Sequence, residues 1–167
     1  PGPYRQRKEY TMDASLIRKG ALAGMIGGAM MAMFSMVAMA ADGEGFWAPV
    51  NLIAHTIWDG APLNGDFDFG ALALGMGVHM MLSMMIGVMA LGVAQQFATT
   101  STVALAIGMA VALGAWVGQE VIWPEIDQVA ADGYTNWVLL VGHVIFGMVL
   151  GAAAATSANN HQPQPVT

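Results

Sequence analysis

Four long apolar runs, Gly20–Ala41, Gly70–Ala94, Val103–Ile122 and Thr135–Ala155, carry one charged residue between them, Glu120. A helix needs about 20 mostly apolar residues to cross a hydrocarbon core of about 30 Å, and each run is long enough. Lipid offers no partner for a bare N–H or C=O, so runs of this kind cross as helices, which satisfy their own backbone. The expected fold is an all-α membrane protein with four transmembrane helices and a short interfacial or re-entrant helix between the first and second. The composition, 56% hydrophobic and 10% charged, fits this class, since soluble domains carry about 25% charged residues. The transmembrane domain covers residues 20–155. A basic arm, 1–19, comes before it, and a polar tail, 156–167, expected to be disordered, comes after. The first run exceeds the about 7–15 apolar residues of a secretory signal, so it is read as a retained helix.

All five basic residues, Arg5, Arg7, Lys8, Arg18 and Lys19, lie in the first nineteen positions. The positive-inside rule then places the arm in the cytoplasm. With four spans both termini are cytoplasmic, as in a multi-pass protein of a bacterial inner membrane. Connections 42–69 and 123–134 fall on the opposite side. They hold Asp42, Glu44, Asp59, Asp66, Asp68, Glu125, Asp127 and Asp132. Trp47, Trp58, Trp123, Tyr134 and Trp137 sit at the same boundary, where amphipathic rings prefer to lie. The acids suit a solvated rim, or a surface for a basic soluble protein. The pairs Asp42/Glu44 and Asp66/Asp68 could take a hard cation, although their spacing forms no EF-hand loop. There is no cysteine, which excludes disulfides and thiolate sites. Phosphate-binding, dinucleotide-binding and HExxH patterns are absent, as is a Ser-His-Asp arrangement. No catalysis and no nucleic-acid partner are expected.

The stretch Trp47–Trp58, WAPVNLIAHTIW, differs from the plain spans. Pro49 suits a helical first turn, where its missing N–H costs nothing. A helix over about 49–58 puts Asn51, His55 and Trp58 on one face and Val50, Ile53, Ala54 and Ile57 on the other. Such an element is too short to cross, so it should lie at the surface or dip partly in. Glu120, near the end of the third span, could pair with His55 or cap the entrance to the bundle. That would make Asn51, His55 and Glu120 a structural polar network.

In the first span Gly20, Gly24, Gly28 and Ala32 recur every four residues, a ridge that lets another backbone approach closely. The ridge serves either packing of the bundle on itself or contact with another membrane subunit, with lipid around the rest. Met76, Met80 and Met84 share a face of the second span. Thioethers suit Cu(I), but methionine is more often a flexible gap-filler. His79 and His143 lie about 12–14 Å below the same membrane face in helices running the same way. Gly75 and Gly77, and Gly142 and Gly147, flank them with small residues. Two such histidines could hold haem b as axial ligands. They could equally donate to a carbonyl, Ser35 or Ser83 and join helices, or relay a proton or metal.

At Trp47-Ala48-Pro49-x-Asn51-x-x-x-His55-x-x-Trp58, Gly75-x-x-x-His79 and His143-x-x-x-Gly147-x-x-x-Gly151 the chain resembles small bacterial four-helix integral membrane proteins. Their first outer loop carries a similar WAPxNxxxHxxW pattern, and their last helix a His-x-x-Tyr-Gly-like one. The likeness covers most of the spans but neither arm nor tail. Phe146 stands where that family often has tyrosine, so a hydroxyl's hydrogen bond is missing here. The resemblance implies a shared fold and a common polar network of Asn51, His55, His79 and His143; it brings no activity. The function expected is an accessory or assembly subunit of a larger membrane complex, of the energy-conversion or electron-transport kind. A haem b electron-transfer protein and a copper or cation transporter are the alternatives.

Overall fold

The computed structural model describes residues 14–159. Most of the basic arm and the last eight residues of the tail lie outside that range. The described residues form six helices and no strand: α1 Ala14–Ala41, α2 Ala48–His55, α3 Phe69–Phe97, α4 Ser101–Ile126, α5 Gln128–Asp132 and α6 Asn136–Asn159. Four of them, α1, α3, α4 and α6, are long and apolar enough to cross a membrane. All four extend past the apolar runs. Arg18 and Lys19, expected in the arm, lie on α1, and residues 156–159, expected in the tail, continue α6. Polar residues end an apolar run without ending a helix, because the turns beyond it lie at the polar membrane interface.

Local chemistry sets the helix ends. Asp68 Oδ1 accepts from the Ala71 N–H at 2.8 Å and starts α3. Thr100 Oγ1 does the same for α4 through the Val103 N–H at 3.2 Å. Each satisfies one of the bare donors of a first turn. Asp127 ends α4 and begins α5, where its Oδ1 accepts from the Ala130 N–H at 3.0 Å. Pro124 lies inside the last turn of α4 and has no N–H to offer the Glu120 carbonyl.

The long helices form a ring in which α1 neighbours α3 and α6, and α4 neighbours α6 and, more loosely, α3. Through their most apolar windows α1 and α6 are 56% and 50% buried, while α3 and α4 are only 22% and 17% buried. The outer pair therefore offers most of the surface that meets lipid or another protein.

The glycine ridge of α1 is used inside the chain. A Cβ on Gly20 would lie 2.6 Å from Val88 Cα, and one on Gly24 would run into the Ser83 carbonyl. One on Gly28 would come 2.5 Å from Ser83 Oγ. Gly87 faces back onto Gly20 and Gly24, so α1 and α3 meet backbone to backbone. Gly108 and Gly151 join α4 to α6 in the same way.

Helices α2 and α5 cover one end of the ring, the capped end. The short helix expected between the first two spans is present as α2, at Ala48–His55 in place of 49–58. Ala48, Pro49, Val50, Asn51, Leu52 and Ala54 are all buried, and Trp58 lies beyond the helix. Asn51 can be buried because its amide is satisfied: Nδ2 donates to Asn64 O at 2.8 Å and to Asp66 O at 2.9 Å. A buried amide with partners avoids the desolvation penalty that would push it to the surface. Asn51→Leu should strip both carbonyls of their donor and destabilise the fold by about 1–3 kcal/mol. Thermal unfolding in detergent measures it, and an unchanged midpoint would mean that the 60s loop does not depend on Asn51. That loop also needs Gly45, at φ +101°, where a Cβ would come 2.5 Å from Gly65 Cα.

Candidate functional site

The capped end gathers most of the polar side chains. His55 Nδ1–H donates to Asp127 Oδ2 at 2.6 Å, which ties α2 to the start of α5. Burial alone would raise the Asp127 carboxyl. The His55 contact and the N–H groups of Ala130 and Val129 outweigh it and hold the group below its ordinary value. Trp123 Nε1 donates to Thr56 Oγ1 at 2.8 Å and its ring meets Tyr134 edge-on at 5.7 Å. Trp137 Nε1 donates to Asp42 Oδ2 at 3.1 Å. The acids thus act largely as caps and clasps. Asp66 accepts from Asn64 and Asp68 from the α3 backbone, and among the described residues no three His, Asp or Glu stand close enough to share a metal ion.

Glu120 does not reach His55, whose partner is Asp127, 72 positions away. The Glu120 Oε1 atom is buried with no hydrogen-bond partner among the described residues. The four residues expected to form one network make separate contacts. Asn51 binds the 60s loop and His55 binds Asp127. His79 Nε2 donates to Gly28 O at 3.0 Å, from α3 to α1. His143 Nδ1 donates to Leu139 O at 2.9 Å, within α6. A carbonyl only accepts, so both histidines keep their other ring nitrogen as an acceptor.

Beneath α2 lies a cavity of about 40 Å³, bordered by Met31, Ser35, Val50, Met76, His79, Gln119 and Tyr134. A small-molecule pocket needs about 300–1,000 Å³, so a macrocycle has no room there. Three of the four glycines that might have admitted one are filled, while Gly77 faces open space. A Cβ on Gly75 would strike the Val50 carbonyl, one on Gly142 would lie 3.1 Å from Met31 Cγ, and one on Gly147 would lie 3.0 Å from Ala112 Cβ. The residues present do not fit a haem held by His79 and His143. Met76 borders the cavity, Met84 packs its main chain near Gly24, and the cavity lining includes neither Met80 nor Met84.

Tyr134, 6% exposed, has its phenol pushed up to about 12 by burial. Between pH 10 and 12 the unfolded chain ionises this phenol and the folded chain does not, so stability should fall across that window. Melting curves of Tyr134→Phe should lose that part of the alkaline decline. Identical declines in both proteins would contradict it.

Ser35, Gln119, Tyr134 and Asp127 did not stand out as site residues in the sequence. Neither did a second four-residue line, Ala106, Ala110, Gly114 and Gly118 on α4, although its spacing is the same signal as the α1 ridge. Ala106, Ala110 and Gly114 are exposed, and a Cβ on Gly114 or Gly118 would meet nothing within 4 Å. No known protein family, curated protein or solved structure matches the chain.

Proposed function

We propose that the chain is a non-catalytic subunit of a larger membrane assembly, and that it docks through α4. The observation that carries this reading is the contrast between its two small-residue lines. The α1 line is filled by α3 of the same chain, while Ala106, Ala110 and Gly114 of the α4 line are exposed, on the same face as Val117 and Val121, which are 52% and 65% exposed. Small residues on a lipid-facing helix let a second backbone come close, which gives van der Waals contact that lipid tails do not replace. The partner is then a transmembrane helix of another subunit. The bare Gly77 on α3 adds a second place of close approach.

In this reading the protein sits in a bacterial inner membrane with both termini in the cytoplasm. The five basic residues of the first nineteen support that orientation. Gly114→Leu tests the docking face. It should leave the melting of the isolated chain unchanged, because the added side chain points into empty space, and it should release the partner from the chain isolated from its own membrane. Retention of the same partners by the leucine variant would overturn the role of α4.

A further inference from the structure

Two cavities share Gln119 and Leu139 in their linings. The inner one is the cavity of about 40 Å³ under α2. The outer one, about 200 Å³, lies between α4, α5 and α6, and Glu120, Trp123, Asp132 and Asn136 surround it. It opens where Asp132 and Asn136 are exposed.

Buried polar atoms along this path lack partners. Ser35 is 1% exposed, and its Oγ has no hydrogen bond among the described residues. Its neighbour is the Tyr134 phenol, a pairing too loose to satisfy it. Glu120 lines the outer cavity, and its Oε1 is buried without a partner among the described residues. His79 borders the inner cavity with one ring nitrogen held by Gly28, which leaves the other as an acceptor. A buried polar atom without a partner costs about 1–3 kcal/mol. A water needs only about 10–15 Å³ of such space and two or more polar neighbours, and both cavities supply these.

We infer that the two cavities are one water-filled inlet, which runs from the mouth at Asp132 and Asn136 past Glu120 and Gln119 to Ser35 and His79. It admits water and small monovalent cations. Glu120 and Asp132 make the mouth attractive to cations, as acidic side chains do at the mouths of cation pores. The Gln119 amide stands at the narrowing and passes hydrogen bonds from one chamber to the next. The inlet does not depend on which partner covers α4.

The natural absence of cysteine makes a direct test available. A single cysteine is placed in the full chain in lipid nanodiscs and exposed to Ag⁺, a small monovalent cation that forms Cys–S–Ag and releases the thiol proton. Reaction is scored as thiol lost to later maleimide labelling of the denatured chain, which the methionines do not affect. Ser35→Cys and Ala32→Cys report from the inner cavity, and Glu120→Cys from the outer. Ala90→Cys, at a site with 0% exposure in the core that lines neither cavity, is the control.

A thiol sealed in packed protein reacts only through local opening, so the inner cysteines should react at least about tenfold faster than the Ala90 control. Adding Gln119→Leu should slow both inner cysteines to the control rate and leave Glu120→Cys as fast as before. Inner cysteines no faster than the control, or indifferent to Gln119→Leu, would overturn the inlet. Thermal melting confirms that each variant is folded, and two inner reporters leave the test intact if one of them is not.

Discussion

Gly24→Ala is expected to destabilise the bundle by about 3 kcal/mol or more, an overpacking effect at the upper end of its usual range. The Cβ would run into the Ser83 carbonyl and approach Met84 Cα at 2.9 Å. Both obstacles are backbone, so no rotamer change relieves the clash and α1 must move off α3. One turn along α3, a Cβ on Gly87 would lie 2.7 Å from the Gly24 Cα, so the close approach runs along the seam and the displacement spreads with it. Gly114→Ala makes the same chemical change where nothing lies within 4 Å, and should be neutral or slightly stabilising, since alanine is the better helix former by about 1 kcal/mol. Thermal unfolding of the two variants in one detergent separates the cases. Equal midpoints would mean that α1 and α3 are not in backbone contact.

Asp127→Ala should cost about 2–4 kcal/mol, because one carboxylate has two tasks. Its Oδ2 takes the His55 N–H at 2.6 Å, a charge-assisted bond of about 1.5–3 kcal/mol. Its Oδ1 caps α5 through the Ala130 N–H, a contact of about 1 kcal/mol. The pH dependence has a defined sign. Asp127 is held below its ordinary 3.8, so its contribution is full above about pH 4 and is lost as pH falls through the lowered folded value. Wild-type melting temperature should drop in that acid range, and Asp127→Asn should lack this part of the drop. A variant with the wild-type acid profile would show that Asp127 is not the group titrating.

The four spans were legible because lipid forces every backbone group into a helix, and apolar length alone then places them. Pro49 announced α2 for an equally local reason. What the sequence hid were partners. The periodicity of Gly20, Gly24 and Gly28 marks a close approach without saying which helix approaches, and α3 of the same chain fills it. Asn51 was read as part of a polar network with His55 and Glu120, because they are polar groups near one end of the bundle. Two carbonyls from residues 64 and 66 satisfy its amide and allow it to be buried. His55 was expected to pair with Glu120, but the local turn that makes Asp127 an N-cap brings that carboxylate to the histidine. His79 and His143 were placed in parallel helices with small neighbours, yet Gly75, Gly142 and Gly147 receive backbone and side chains where a macrocycle would have to sit.

Native mass spectrometry of the chain taken from its own membrane in a gentle detergent tests the central proposal most directly. A particle well above 17.4 kDa that breaks into this chain and other membrane polypeptides is the expected result, and it should disappear with Gly114→Leu. A chain that leaves its membrane alone, or only as copies of itself, would contradict the subunit reading.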